Sequence, residues 1–219
     1  MIFKKGMIYA IADISGNEDE CCSEYKENFF YKVEEALKGG TEIIQLRYKS
    51  PYSQELLYEY AMKLCELTHR YSAMFIVNDY VELAKKTGAD GVHIGQEDIK
   101  KTGIVYTRNS LHGGAVIGVT AKTVSDAKKA RQLGADYIGS GAIFKTDTKA
   151  DAQSMDIDEL KDICTQLDIP VFAIGGIDIS NVNRLKGVPI TGIAVSRGIF
   201  AAKDIRLEVL KLKEAMLTL

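Results

Sequence analysis

The feature that most constrains this chain is a repeated alternation of short β-like runs with amphipathic helical stretches. The strand candidates are Met7–Asp13, Glu42–Leu46, Met74–Asn78, Gly91–Ile94, Val116–Val119, Tyr137–Ser140, Pro170–Ile174 and Gly192–Val195. Most are rich in Ile, Val and aromatic residues, and several end in glycine or a polar residue. Helical periodicity fills the gaps over Asn28–Lys38, Ser53–Arg70, Val81–Thr87, Ser125–Leu133, Asp158–Leu167, Ile179–Lys186 and Asp204–Met216, with a weaker, short helix expected inside Gln96–Gly114. Gly39-Gly40, Gly88 and Gly134 fall where these helices should stop. Eight strands that alternate with helices predict an α/β chain folded as one (β/α)8 TIM barrel domain over residues 1–219. An open doubly wound sheet would place phosphate-binding glycines after its first strand. Here that position reads Asp13-Ile14-Ser15-Gly16-Asn17-Glu18, without a GxGxxG pattern. The acidic stretch Asn17–Glu24 is expected as a solvated loop at the barrel rim.

Composition narrows the function classes. Lys plus Arg number 28 and Asp plus Glu 30, a formal net charge of -2, so no broad field draws the chain to nucleic acid or an anionic membrane. Any anion site must be local. Mean hydropathy is -0.06, and no apolar run approaches the roughly 20 residues of a membrane span. The opening Met1-Ile2-Phe3-Lys4-Lys5-Gly6 lacks the features of a signal peptide, which gives the expectation of a cytoplasmic protein. The four cysteines, Cys21, Cys22, Cys65 and Cys164, form neither a zinc spacing nor a redox motif and are expected as reduced thiols.

In a barrel, chemistry belongs at the C-terminal ends of the strands. The second strand runs Ile43-Ile44-Gln45-Leu46-Arg47-Tyr48-Lys49. Alternation puts Gln45, Arg47 and Lys49 on one face, spaced roughly 7 Å apart, and Ile44, Leu46 and Tyr48 on the face toward the helices. Two cations and an amide at the barrel mouth suit a pyrophosphate or another polyanion; the plainer reading is a solvated strand end. Asn78-Asp79 ends the third strand, and Asp98 follows the fourth. Magnesium takes one or two carboxylates plus water and phosphate oxygens, so this pair is a candidate metal site, while helix N-capping is the structural alternative. His93 is expected as a packed, hydrogen-bonded histidine.

The sixth strand carries Gly139 and Gly141, which leave space for close approach, and runs on to Thr146, Thr148 and Lys149 in a polar loop. The seventh ends in Gly175-Gly176 and the eighth in Val195-Ser196. Loops after the last two strands of a barrel often bind phosphate through backbone N–H groups; tight-turn glycines are the alternative. The combined expectation is two anion sites on one rim, one cationic with metal, the other neutral and built from backbone. Joining two phosphorylated small molecules requires such a pair.

At this level the chain resembles the thiamine phosphate synthase family, also called thiamine-phosphate pyrophosphorylase. The matching segments are Tyr9-Ala10-Ile11-Ala12-Asp13, Gln45-Leu46-Arg47-Tyr48-Lys49, Val77-Asn78-Asp79, Ala89 through Asp98, Ile117-Gly118-Val119-Thr120, Gly134-Ala135-Asp136-Tyr137, Thr146-Asp147-Thr148-Lys149, Ala173-Ile174-Gly175-Gly176-Ile177 and Ala194-Val195-Ser196. Their order and spacing cover nearly the whole chain. The resemblance implies an enzyme, a transferase of thiamine biosynthesis. It would couple hydroxymethylpyrimidine diphosphate with a thiazole phosphate, carboxylated or not, and release thiamine phosphate and pyrophosphate. By the same resemblance Gln45, Arg47, Lys49, Asn78, Thr120 and Lys149 serve the pyrimidine diphosphate. Asp79 and Asp98 hold Mg2+, and Thr146, Thr148, Gly175, Gly176, Val195 and Ser196 serve the thiazole phosphate. The partners implied are these small molecules, without nucleic acid or membrane; a homo-oligomer is compatible with the sequence.

Some positions depart from the family's usual pattern. Tyr48 stands where an acid is often found, and by alternation points away from substrate. Thr120 replaces a serine but keeps the hydroxyl. Ala142 and Lys145 replace frequent prolines, which implies a more mobile loop, and Arg197 follows Ser196 where a small residue is common. Rival readings are a thiazole tautomerase-like paralogue, another phosphate-binding barrel isomerase, and a non-catalytic thiazole-phosphate-binding barrel. The tautomerase reading would want a histidine shortly after the fifth strand, where this chain has Lys122.

Overall fold

The computed structural model describes residues 2–14, 22–49, 53–95, 99, 103–145 and 154–219. Eight strands pair in parallel, each with its sequence neighbours, and the first pairs with the last, so the sheet closes into a barrel. They are β1 (Met7–Asp13), β2 (Ile43–Arg47), β3 (Met74–Asn78), β4 (Gly91–Ile94), β5 (Val116–Thr120), β6 (Tyr137–Gly141), β7 (Val171–Ile174) and β8 (Gly192–Val195). Among the described residues the helices are α1 (Ser23–Lys38), α2 (Gln54–Arg70), α3 (Val81–Thr87), α4 (Ile104–Ser110), α5 (Val124–Gln132), α6 (Ile157–Gln166), α7 (Arg197–Phe200) and α8 (Ile205–Met216). Among the described residues no helix is long and apolar enough to cross a membrane.

Period-2 alternation sorts the strand residues into two cores. Ile8, Ala10, Ala12, Ile44 and Leu46 face outward into the large core under the helices, together with Tyr48 just past β2. Met7, Tyr9, Ile11, Ile43, Ile76, Val116, Tyr137 and Phe172 fill the barrel, and Phe3 closes it from below, with ring centroids 5.3 Å from Tyr137 and 5.7 Å from Phe172. These rings need glycine opposite them. A Cβ on Gly118 would lie 2.0 Å from Tyr137 Cζ, and one on Gly192 2.8 Å from Phe172 Cε1.

The N-terminal end of the barrel carries a repeated clasp. The residue just before each even-numbered strand accepts a backbone N–H from the preceding odd one. Glu42 accepts from Ile8 at 2.9 Å, Asp90 from Phe75 at 2.7 Å, Asp136 from Ile117 at 2.7 Å and Thr191 from Val171 at 3.2 Å. The three acids also face cationic or imidazole groups: Lys213, His69 and Arg108. The clasps give buried strand N–H groups acceptors that the ladder does not supply.

Several local expectations shift. The second strand begins at Ile43, because Glu42 is one of the clasps. Helix α1 starts at Ser23, so Ser23 and Glu24 belong to a helix that the sequence reading placed in a loop. Glu24 in its first turn suits the positive end of the helix dipole. The helix expected over Ile179–Lys186 is only a 3-10 turn, Val182–Leu185. There Asp178 accepts from the Ser180 N–H and hydroxyl, while its own N–H donates to Asn181. Such side-chain bonds compete with helix formation.

Candidate active site

The inward face of β2 behaves as alternation requires. Gln45 is buried, and its Nε2 donates to the Tyr9 hydroxyl at 2.6 Å. One step toward the mouth, Arg47 lies opposite Asp13 in the register and forms an ion pair with it. Beyond the strand end, Lys49 Nζ lies 2.7 Å from Asp79.

Asp79 collects the next group of contacts. Its carboxylate accepts from Lys49, from the Asn78 amide and from the Gly95 N–H at 3.0 Å. Burial alone would push this carboxyl up. The Lys49 bond, the Gly95 N–H and the charge of Lys49 outweigh that and hold it below the ordinary carboxylate value. Asp79 has φ of 63°, a left-handed conformation that a non-glycine residue adopts at some cost. The capping alternative does not describe it: Tyr80 occupies the cap of α3, without a side-chain cap bond. Asp98, the second expected metal residue, lies outside the described residues, as do Thr146, Thr148 and Lys149.

A buried polar line crosses the barrel below the mouth. The Tyr9 and Tyr137 hydroxyls are 3.0 Å apart, Tyr137 lies 3.3 Å from His93 Nδ1, and His93 Nε2 lies 2.9 Å from Thr120 Oγ1. Gly139 makes room for the imidazole, since a Cβ there would lie 2.9 Å from His93 Cε1. Thr120 closes β5 at the rim.

On the other side of the mouth, Gly175 and Gly176 have φ of 99° and 64° and press against the loop after β6. A Cβ on Gly175 would sit 2.5 Å from Ala142 Cα, and one on Gly176 2.5 Å from the Lys145 carbonyl. Gly198 in α7 packs against the loop after β7, 2.6 Å from the Ile177 carbonyl by the same measure. The loops after β7 and β8 are therefore adjoining. Val195 is buried in β8, and Ser196 is partly exposed at the start of α7.

One cavity of about 440 Å³ brings together two of the expected site residues, Arg47 and Ser196, with Asp13 beside the first and Arg197 beside the second; Gln45, Lys49, Asn78, Asp79, Thr120, Gly175, Gly176 and Val195 are not part of its lining. Its outer wall is α1, through Tyr25, Asn28 and Lys32. The sequence reading did not include Asp13, Tyr25 or Lys32 in the site. Asp13 was accessible to it, because Tyr9, Ile11 and Asp13 share a face by alternation.

The sequence matches the family model for thiamine monophosphate synthase over residues 11–199. The chain belongs to that family. A thiamine-phosphate synthase of Fusobacterium nucleatum is 40% identical over 204 residues, covering 93% of this chain and 94% of that one. One from Clostridium tetani is 42% identical over 174 residues, 80% of this chain and 81% of its own. Among solved structures, thiamine phosphate pyrophosphorylase from Pyrococcus furiosus superposes with a TM-score of 0.81 at 32% identity, over 96% of this chain and 95% of that one. These thiamine-phosphate synthases are transferases, and as a member of their family the chain is an enzyme of that class.

Among the described residues no group of three or more His, Cys, Asp and Glu side chains could hold a metal ion. The donor Asp79 offers is one carboxylate beside a cationic strand end. That fits an ion such as magnesium, whose remaining ligands come from phosphate and water, and does not fit an all-protein cage.

Proposed function

We propose that this enzyme joins the methylene carbon of hydroxymethylpyrimidine diphosphate to the ring nitrogen of a thiazole phosphate. The bond from methylene carbon to diphosphate oxygen breaks first, and its electron pair leaves with pyrophosphate. The lone pair of the thiazole nitrogen then forms the new C–N bond, giving thiamine phosphate. With a carboxylated thiazole, carbon dioxide also leaves. The observation that carries the reading is the single cavity that includes both Arg47 and Ser196, because two phosphorylated substrates must meet in one space.

The roles are those that the family resemblance implies, and charge supports them at Arg47, Lys49 and Asp79. Arg47, Lys49 and Lys149 offset the charge that builds on the departing diphosphate, where preorganised cations act most strongly. Asn78 orients Asp79 through its amide. Asp79 and Asp98 would hold a magnesium ion, which when bound supplies further positive charge to the leaving group. Gln45 and Thr120 address the pyrimidine. Gly175, Gly176, Val195 and Ser196, with Thr146 and Thr148, cradle the thiazole phosphate. The nucleophile brings its own lone pair, so no general base is required, and catalysis consists of stabilising the leaving polyanion and holding the halves together.

The test supplies purified protein with both phosphorylated halves and magnesium, and looks for thiamine phosphate by mass spectrometry. Product formed in proportion to enzyme is expected. A folded sample that binds either half yet makes no product would overturn the reading in favour of a tautomerase-like or non-catalytic barrel.

A further inference from the structure

The polar atoms of the barrel interior form one continuous line: Gln45 Nε2, the Tyr9 and Tyr137 hydroxyls, His93 Nδ1 and Nε2, and Thr120 Oγ1, with successive separations of 2.6, 3.0, 3.3 and 2.9 Å. Each phenol has one proton to give, and a neutral imidazole has one N–H. With Gln45 as the donor at one end, the direction of each later link follows. Gln45 gives an N–H to Tyr9, so the Tyr9 proton goes to Tyr137 and the Tyr137 proton to His93 Nδ1. His93 then carries its proton on Nε2 and donates to Thr120. At the two ends, Gln45 presents its carbonyl as an acceptor, and Thr120, already accepting, presents its hydroxyl proton as a donor. With the Gln45 amide turned over, the Tyr9 proton would go to Gln45 and the Tyr137 proton could go to either neighbour, so the one-way order belongs to the arrangement in which Gln45 donates.

Building on the function proposed above, we infer that Tyr9, Tyr137 and His93 are positioning residues that fix Gln45 as an acceptor and Thr120 as a donor toward the pyrimidine. The chain thereby selects a ring with an amine and an unprotonated ring nitrogen over one with an oxo group and a ring N–H.

Burial supports the one-way reading. Tyr9 is 2% exposed, Tyr137 0% and His93 6%, so water does not stand in for a lost link. Burial also pushes both phenols well above their ordinary value of 10.0; at Tyr9 it outweighs the bonds from Tyr137 and Gln45, and both remain protonated donors at any working pH. The glycines opposite the rings, Gly118 and Gly139, leave no space for a side chain, so the line is fixed by packing as well as by polarity.

The test has a readout independent of turnover. Nitrogen-15 spectra of histidine-labelled enzyme report which imidazole nitrogen bears the proton. The expected result is His93 protonated on Nε2 in the wild type and in Tyr9→Phe, where Tyr137 keeps its proton to give, but not uniquely so in Tyr137→Phe. Kinetically, Tyr137→Phe should raise KM for the pyrimidine diphosphate on the order of tenfold and leave that for the thiazole phosphate within about twofold. Thr120→Val should do the same, and Thr120→Ser should restore the wild-type value. His93 protonated on Nδ1 in the wild type would overturn the inference whether or not any variant folds. So would a Tyr137→Phe enzyme with unchanged tautomer and KM. Absence of thiamine phosphate from the wild type overturns the functional reading, and the tautomer of His93 still decides the chain: Nε2–H supports it, Nδ1–H refutes it.

Discussion

Lys49 Nζ stands 2.7 Å from a carboxylate oxygen of Asp79, so the cation two residues beyond β2 closes on the first residue beyond β3. The two side chains come from segments 30 positions apart, brought side by side by parallel pairing of the strands. Without substrate each neutralises the other. On the proposed function, a bound diphosphate would give Lys49 an anion to turn to and release the Asp79 carboxylate for a cation.

Replacing either side of this cluster should therefore cost turnover far more than stability. Arg47→Ala is expected to lower kcat/KM by about 10² to 10³, the usual loss for a preorganised cation at a developing anion, and Asp79→Ala by a similar factor through the loss of the metal it would hold there. Asp79→Gly separates chemistry from backbone strain. Glycine accepts the φ of 63° without penalty, so Asp79→Gly should melt no lower than Asp79→Ala while being equally inactive. Near-normal rates in both Arg47→Ala and Asp79→Ala would refute the assigned roles.

The same pair predicts how stability responds to acid. The Asp79 carboxyl is more acidic folded than unfolded: burial raises it, but the Lys49 bond and the contributions behind it lower it further. A carboxylate of this kind stabilises the fold fully above its ordinary value near 3.8, and that contribution disappears as pH falls through the depressed folded value. Lys49→Met removes the largest lowering influence, so acid-induced loss of structure should move to higher pH. Far-UV circular dichroism against pH measures the midpoint for both proteins. An unchanged midpoint, with the Asp79 carboxyl carbon titrating as before, contradicts the account.

Much of this was legible in the sequence, for a local reason. Strand alternation is a property of adjacent residues, so the inward set Gln45, Arg47 and Lys49 follows from the order of side chains alone. What joins those residues to their partners is strand pairing and, across the barrel, closure of the sheet. The Arg47–Asp13 pair, the Tyr9–Tyr137 contact between β1 and β6, and the wall that α1 gives the cavity are contacts across the sheet, and no local pattern announces them. The error at Ile179–Lys186 has a different origin. Apolar spacing there suggested a helix, while Asp178, Ser180 and Asn181 used their side chains on the backbone and left only a 3-10 turn. The start of α1 at Ser23 is hidden in the sequence because an acidic run suits a solvated loop as well as a first helical turn.

The glycine pair after β7 should tolerate no side chain. Gly175→Ala combines a φ of 99° with a Cβ 2.5 Å from Ala142 Cα, a conformational cost of about 1–3 kcal/mol before the clash is counted. The expected variant melts lower and shows a raised KM for the thiazole phosphate, with the pyrimidine diphosphate KM changed much less. Calorimetry and the two KM values decide it. A raised KM for the pyrimidine half alone would place the glycines at the wrong substrate.

Thiol chemistry should divide the cysteines by burial. Burial pushes the Cys164 thiol up to about 12, and burial together with the charge of Asp90 raises Cys65, whereas Cys22 is exposed. In the native protein at about pH 8, iodoacetamide should therefore label Cys22 and spare Cys65 and Cys164, because the thiolate is the reactive form. Peptide mass mapping before and after denaturation reads the pattern. Native labelling of Cys164 as fast as that of Cys22 would disprove it.

The clasps at the N-terminal end of the barrel predict stability without activity. Asp136 accepts the Ile117 N–H at 2.7 Å and pairs with Arg108, which also donates to the Ala115 carbonyl at 2.6 Å and the Gly134 carbonyl at 3.0 Å. Asp136→Ala removes a charged acceptor from a strand N–H and leaves the guanidinium on two carbonyls. Bonds to charged groups contribute about 1.5–3 kcal/mol, and the partial exposure of both side chains argues for the lower end. Thr191→Val, which loses a neutral acceptor at 3.2 Å, should cost about 1 kcal/mol. Both positions lie at the end of the barrel opposite the cavity, so kcat and both KM values should stay within about twofold of wild type. Urea titrations with parallel kinetics make the comparison. If Asp136→Ala disturbed KM while leaving the unfolding midpoint in place, the division between a stabilising end and a catalytic end would not hold for this barrel.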